Sequence, residues 1–205
     1  MRPEKFSFVF LVGGVLMFFF AFVTLVASPW WMLKKVPVAQ MEELALHPDE
    51  YFTQMKAKYP DTFAAAFGAD DSAGYAKALK MGRDIYIAEA CWHCHSQYVR
   101  PVPGETERFG KVSTATEYQN VLQLPQLFGT RRVGPDLTRV GGKYDNTWHF
   151  NHFKNPPALV EGSIMPSYAW FFDKEGNPNA KGLAIVTYVQ WLGTWPRVKG
   201  LDEEW

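Results

Sequence analysis

The sequence has little of what most familiar functional sites require. Only two of its 205 residues are cysteines, Cys91 and Cys94, so an extensive disulfide framework is excluded. Its formal charge is balanced, with 21 basic and 21 acidic side chains, which gives no electrostatic basis for binding nucleic acid. Internal repeats and low-complexity tracts are missing too. The chemistry of the chain must therefore come from a few residues, and the two cysteines are the first candidates.

Charged side chains are missing altogether from Phe6 to Leu33. A helix over this run, at about 1.5 Å per residue, exceeds the roughly 30 Å hydrocarbon core of a bilayer. A cleaved secretory signal has an apolar stretch of only about 7–15 residues. The sequence therefore predicts an uncleaved, single-span transmembrane anchor over residues 1–33. The positive-inside rule does not orient it, because basic residues flank both ends: Arg2, Lys5, Lys34 and Lys35.

Residues 34–80 are predicted to form an acidic helical connector. Between Met41 and Asp71 seven acidic residues stand against two lysines, and Pro48 and Pro60 interrupt the short helical stretches. A solvated helical arm is the simpler interpretation. An acidic docking face for a basic partner is the alternative.

The remaining residues, 81–205, are predicted to form the functional domain. A helix runs into the cysteines, and Gly82 on it would let another helix approach closely. Residues 96–135 are rich in proline and glycine, which predicts a long loop of the kind that a large ligand holds in place. The predicted fold class is mainly α, with one transmembrane helix at the N-terminus.

Two further helices are predicted after this loop. Residues 147–154 form a short helix that begins at Asp145 or Asn146 and ends before Pro156. Apolar residues near helical spacing between 183 and 192 predict an amphipathic closing helix.

Cys91, Cys94 and His95 form the C-x-x-C-H pattern of c-type haem attachment. Two thiols on one helical turn can both add to the haem vinyl groups, and the next residue presents its imidazole to the iron. Three alternatives explain the pattern less well. Zinc lacks a second ligand pair at finger spacing, a thioredoxin-like redox pair lacks its βαβ context, and a disulfide leaves His95 unexplained. The sequence thus predicts one covalent haem c, with His93 on the surface.

The iron needs a sixth ligand, and Met165 is the strongest candidate. Electron-transfer haems commonly have histidine and methionine as axial ligands. Met165 is the only methionine after the haem motif, and Pro166 stiffens the chain beside it. His149 and His152 are the alternatives as ligands, although packing or hydrogen bonding near the haem suits them better.

Residues after the motif are predicted to support the haem. A ligating imidazole normally donates its second N–H to a carbonyl, and the rigid Gly134-Pro135 corner suits that role towards His95. Arginines pair well with the haem propionates, and the candidates are Arg100, Arg131, Arg132 and Arg139.

Several stretches together resemble a known family. They are CWHCHSQYVRP, ETERFG, FGTRRVGPDLTRVGGKYDNTWHFNHFKNP and SIMPSYAW, within roughly residues 82–172. In this order they are similar to the membrane-anchored monohaem cytochrome c subunit of cbb(3)-type cytochrome c oxidases. The resemblance implies a class I cytochrome c fold, with Cys91 and Cys94 attached to haem c and with His95 and Met165 as axial ligands.

The resemblance also implies a function. Subunits of this kind pass single electrons to a many-helix catalytic haem–copper subunit, which reduces oxygen, and receive them from another cytochrome c subunit or a soluble cytochrome c. The chain would then be a non-catalytic subunit of an oxidoreductase. Because c-type haem is attached outside the bacterial cytoplasmic membrane, the N-terminus would be cytoplasmic and the haem domain periplasmic. The alternatives are a cytochrome c subunit of a nitric oxide reductase and a haem-based sensor.

Overall fold

The computed structural model describes residues 4–129 and 131–195; Arg2, which entered the orientation argument, lies outside them. The described residues are mainly helical and contain no strand beyond two isolated bridges, which confirms the predicted fold class. The chain separates into two compact units, one ending at Pro37 and the other beginning at Val38.

The helices of the described residues are joined by connections of very different length, the longest of which precede α9 and α11. The α-helices are α1 (Glu4–Phe22), α2 (Ser28–Leu33), α3 (Met41–Leu44), α4 (Glu50–Lys58), α5 (Pro60–Phe67), α6 (Ser72–Ala88), α7 (Cys91–Cys94), α8 (Glu105–Phe109), α9 (Asn146–Lys154), α10 (Pro156–Leu159) and α11 (Ala180–Trp191). A π-helical segment (Val23–Ala27) joins α1 to α2, and 3-10 turns cover Ala115–Tyr118, Val121–Gln123 and Ala169–Phe171.

The first unit contains one long apolar helical segment. It covers Phe6–Leu33, 28 residues with a mean hydropathy of 2.7 in its most apolar window, and none of that window is buried in the described structure. At its end the Lys34 ammonium lies 3.8 Å from the centre of the Trp31 ring, a cation–aromatic contact suited to a membrane interface. The segment is long and apolar enough to span a membrane, as the sequence predicts.

The core of the second unit is built on the crossing of α6 and α11. The two helices meet at Gly82, where an added Cβ would lie 2.1 Å from the Ala184 carbonyl oxygen and 2.6 Å from Tyr188 Cβ. Such distances leave no room for any side chain at position 82. The close approach that the sequence predicts at Gly82 is therefore present, and its partner is the closing helix.

Replacing Gly82 with alanine is expected to destabilise this unit. Alanine improves helix propensity by about 1 kcal/mol, but the overpacking against the α11 backbone costs about 3 kcal/mol or more. The net loss should appear as a lower denaturant midpoint in circular dichroism of the detergent-solubilised chain. Lys80→Ala, on the exposed side of the same helix, is the control and should leave the midpoint nearly unchanged.

Residues 41–67 differ from the solvated arm expected from their acidic composition. Phe52, Met55, Phe63 and Phe67 are buried in the same core as α6 and α11, and the Phe52 and Phe63 ring centroids are 4.7 Å apart. Burying each large apolar side chain contributes about 1.5–3 kcal/mol. Most of the acidic groups point outward instead, so the acidic composition describes the outer surface and the apolar residues at helical spacing determine the packing.

A buried polar contact also ties α4 to α6. The Asp49 carboxylate caps α4 by accepting from the Phe52 backbone N–H at 2.7 Å, and it accepts from the Tyr75 hydroxyl at 2.8 Å. One side chain therefore satisfies a helix N-terminus and joins two helices.

The predicted loop at 96–135 contains more local structure than its composition suggests. It includes α8 and two 3-10 turns. The Tyr118 hydroxyl donates to the Gln97 carbonyl at 2.8 Å, and the Ala39 N–H donates to the Gln119 carbonyl at 2.9 Å. The first bond joins two parts of the segment to each other, and the second ties the segment to the residues that precede α3.

Candidate haem-binding site

The two cysteines lie on one helical turn at the end of α6. Ala90 adopts a left-handed conformation with φ of 55°, which ends α6 and starts the short helix α7. Cys91 is buried, Cys94 is exposed, and both thiols are free. Burial raises the pKa of the Cys91 thiol to about 12, so the thiol is neutral and chemically unlike an activated redox cysteine.

A cavity of about 650 Å³ opens beside this turn. Its wall includes every residue that the sequence assigns to haem attachment and ligation: Cys91, Cys94, His95 and Met165. Pro135 is also part of the wall, and most of the other lining side chains are apolar. The volume falls within the range of about 300–1,000 Å³ that is typical of ligand and cofactor sites.

His95 is held in the orientation that a metal ligand needs. Its Nδ1 lies 2.8 Å from the Pro135 carbonyl oxygen, and since a carbonyl can only accept, Nδ1 carries the proton. Nε2 is then the free nitrogen of a neutral imidazole. Burial lowers the pKa of His95, and the hydrogen bond to Pro135 only partly opposes this shift. The contact expected from the Gly134-Pro135 corner is therefore present.

Gly134 has no side chain because the His95 ring occupies that space. A Cβ at position 134 would lie 2.3 Å from His95 Cε1 and 2.8 Å from its Nδ1. The backbone thus forms one face of a slot for the imidazole, and the Pro135 carbonyl closes its end.

Gly134→Ala is expected to displace the imidazole while leaving the cysteines untouched. The added methyl would overpack the slot at a cost of about 1–3 kcal/mol, which corresponds to binding at Nε2 that is roughly 5- to 150-fold weaker. The purified variant should retain covalent haem on a denaturing gel but show a larger high-spin fraction in its absorption spectrum. Arg131→Ala, at a nearby exposed residue outside the cavity wall, should match the wild type. If the Gly134→Ala spectrum also matches the wild type, the slot is contradicted.

Asp136 fixes the backbone that carries this slot, and sequence reasoning missed it. Its carboxylate accepts from the Ser96 hydroxyl at 2.6 Å, from the Tyr98 N–H at 2.9 Å and from the Thr138 N–H at 2.9 Å. The side chain is almost fully buried, and a buried carboxylate requires such donors. These bonds clamp the segment after His95 to the segment that bears Pro135. Ser96 and Asp136 both lie in stretches that resemble the known family, but no rule of sequence spacing predicts that they pair.

Two hydrogen bonds attach the Met165 loop to backbone carbonyls of α9. The Tyr168 N–H donates to the Phe153 carbonyl at 2.8 Å, and the Ser167 hydroxyl donates to the Lys154 carbonyl at 2.7 Å. The two donor residues, Ser167 and Tyr168, directly follow Met165 and Pro166 in the sequence. They hold the loop beside the half-buried Met165, which lines the cavity, whereas the adjacent Ile164 is 78% exposed.

The arginines lie away from the cavity that they were expected to serve. Arg100 pairs with Glu105 at 3.0 Å, and Arg139 pairs with Glu117 at 2.8 Å. Arg132 also pairs with Glu105. None of these arginines, nor Arg131, is part of the described cavity wall. The physical reason is that buried glutamates on the 105–117 segment need cationic partners, and these arginines provide the pairing.

The zinc alternative finds no support in the described part of the chain. Within residues 4–129 and 131–195 no group of three or more histidine, cysteine, aspartate or glutamate side chains is arranged to hold a metal ion. Cys91, Cys94 and His95 therefore lack the additional protein ligands that a closed zinc site needs.

Comparison with known families agrees with this geometry. The family described as cytochrome c oxidase, mono-heme subunit/FixO, matches residues 69–194. The chain belongs to this family. Its matched region contains α6, the cavity, the Met165 loop and most of α11. No curated protein matches the chain.

Membership of the FixO family has three coarse consequences for this chain. It is a mono-haem subunit, so the cavity has one haem to accommodate. It is part of a cytochrome c oxidase complex, which implies a catalytic subunit as its partner. The family is membrane-associated, in agreement with the apolar segment Phe6–Leu33. The cavity fits such a group, since its wall is largely apolar and its backbone slot presents a free imidazole nitrogen.

Proposed function

We propose that this chain is the electron-relay subunit of a membrane-bound haem–copper oxidase. A c-type haem, when bound, supplies one-electron transfer. The observation that carries the proposal is the shared cavity of Cys91, Cys94, His95 and Met165 in a chain of the FixO family.

In this proposal each of the four residues has a separate task. Cys91 and Cys94 fix the haem covalently, from one buried and one exposed position on a single helical turn. His95 binds iron through Nε2, and Met165 binds it from the loop that α9 supports. With both axial positions filled by protein, no open position remains for oxygen, so the oxygen chemistry belongs to the partner subunit.

Electrons enter and leave at the cavity mouth. Of the residues that line the cavity, Cys94, Val160 and Ile164 are exposed. A haem held by these residues would therefore have an edge accessible from this rim, whereas Cys91 is buried. An electron donor, either another cytochrome c subunit or a soluble cytochrome c, and the many-helix catalytic subunit would approach this rim.

The topology follows from where c-type haem is attached. Residues before the apolar segment are cytoplasmic and the haem domain is periplasmic, held at the bacterial inner membrane by a single span. The anchor would tether the haem domain to the same membrane as the partner that receives its electrons.

Purification through a tag on this chain, in mild detergent, tests the proposal. We expect haem that stays attached to a 23.4 kDa band on a denaturing gel, a co-purifying many-helix subunit, and oxygen consumption by the complex. Reduction by a rapidly mixed donor should appear in this c-type haem before it appears in the partner's haem. A chain that purifies alone and binds CO would instead indicate a sensor, and a complex that consumes nitric oxide would indicate a reductase.

A further inference from the structure

His149 places an unpartnered polar atom in the wall of the cavity. Its side chain lies on α9 and is only 4% exposed, and its Nε2 has no hydrogen-bond partner. A buried ring nitrogen without a partner costs roughly 1–3 kcal/mol. Such a cost is tolerated where a bound group supplies the missing partner.

The haem itself presents groups that need such partners. Its two propionates are carboxylates, and a carboxylate in an apolar cavity is unfavourable unless it accepts hydrogen bonds. No arginine or lysine belongs to the described cavity wall. The arginines predicted for this role are paired with glutamates elsewhere. The donors must therefore be neutral groups of the wall.

The position of His149 suits the propionate edge of the haem. In the porphyrin the propionates lie on the edge opposite the two vinyl groups, which the cysteines bind. Beside Cys91 the polar neighbours are Glu89 and Tyr168. Beside His149 they are different residues: the Tyr144 and Trp148 rings pack edge-on against the imidazole, with centroids at 6.1 and 5.3 Å. Cys91 and His149 therefore have different polar surroundings within the one cavity.

The chemistry of the imidazole fits a neutral donor. Burial, together with the neighbouring His152, lowers the pKa of His149 to about 4. The ring is therefore neutral at physiological pH and carries one N–H. The edge-on contacts with Tyr144 and Trp148 restrict rotation of the ring, and the residue lines the cavity.

We propose that His149 Nε2–H donates a hydrogen bond to a haem propionate and thereby anchors the haem edge that the cysteines do not hold. This assignment rests on the proposed function, because it requires a c-type haem in the cavity. It makes His149 a cofactor-binding residue and gives α9 a second role beside supporting the Met165 loop.

Three substitutions at position 149, made in the full chain purified in detergent, test the assignment. Glutamine places an amide N–H near the position of Nε2, whereas asparagine places it near Nδ1 and phenylalanine offers no donor. Without the donor the propionate charge is less screened and favours ferric iron, so the reduction potential should fall. At a fixed ambient potential the ratio of oxidised to reduced haem should rise roughly three- to tenfold in His149→Phe and His149→Asn. It should remain near the wild-type value in His149→Gln.

An infrared difference spectrum between the two redox states, with isotope-labelled propionates, gives an independent readout. The carboxylate band that shifts in the wild type should change in His149→Phe and persist in His149→Gln. Asn151→Leu, on the exposed side of α9, controls for perturbation of the helix. Unchanged potentials and bands in all variants would overturn the assignment, and loss of low-spin iron in His149→Phe would make His149 an axial ligand instead. Absence of covalent haem from the wild type would reject the proposed function itself.

Discussion

Serine at both Cys91 and Cys94 is expected to abolish covalent haem attachment completely. The two thiols are the only ones in the chain, they lie on one turn of α7 and they line the same cavity. A serine hydroxyl does not form the thioether that retains haem through denaturation. Haem staining of a denaturing gel should therefore fall to background, while immunodetection still shows a 23.4 kDa chain.

His93→Gln is the matched control for this loss. His93 lies between the cysteines on the same turn, is exposed and stacks on the Trp92 ring with centroids 3.9 Å apart. His93 also lines the cavity, but it has no thiol to attach haem, so this variant should stain like the wild type. Equal staining of the double serine variant and the control would show that haem is held without these thiols, and the attachment assignment would be wrong.

The sequence predicts the chemistry of this site where the residues involved are neighbours in the chain. Cys91, Cys94 and His95 are contiguous on one turn, so their spacing alone determines which groups they can reach together. Gly82 is similar, because the missing side chain in a helix already indicates a close neighbour. The apolar run Phe6–Leu33 is readable for the same reason, since its length and lack of charge need no tertiary partner to interpret.

Long-range pairing is the part that the sequence does not determine. Asp136 accepts from the Ser96 hydroxyl at 2.6 Å, yet the two residues are far apart in the chain and neither has a recognisable pattern. For Arg100 and Arg139 the sequence suggested a partner, and the fold shows a different one. Their charge suggests an anionic ligand, but buried Glu105 and Glu117 are nearer anions, and only the fold reveals which pairing occurs.

Composition misled the interpretation of residues 41–67 for a related reason. Most acidic side chains of this segment are exposed. The mean charge of the segment reflects these side chains and gives no sign of the buried aromatic residues on the other faces of the same helices. Phe52 and Phe63 contact each other and the Tyr75 ring lies 5.0 Å from that of Phe52. Periodicity within each short helix, rather than the mean charge, would have predicted this buried face.

Met165→Leu is expected to change the ligation and the reduction potential of the haem iron without changing the fold. Leucine has a similar volume and keeps the half-buried apolar contact, and the hydrogen bonds from the Ser167 hydroxyl and the Tyr168 N–H that hold the loop are unaffected. What it removes is the thioether sulfur. Since methionine ligation raises the potential of a histidine-ligated haem, the reduction potential should fall by on the order of 0.1 V or more.

Two further readouts make this result specific. The weak thioether-to-iron charge-transfer band should vanish from the oxidised spectrum, and reduced haem should gain the ability to bind CO because one axial position is open. Ile164→Leu changes the adjacent residue, which is 78% exposed, and should leave both properties as in the wild type. If Met165→Leu retains the wild-type spectrum and excludes CO, the sixth ligand comes from elsewhere in the cavity wall. His149 and His152 are then the groups to replace, because both line the cavity and each has a buried ring nitrogen without a partner.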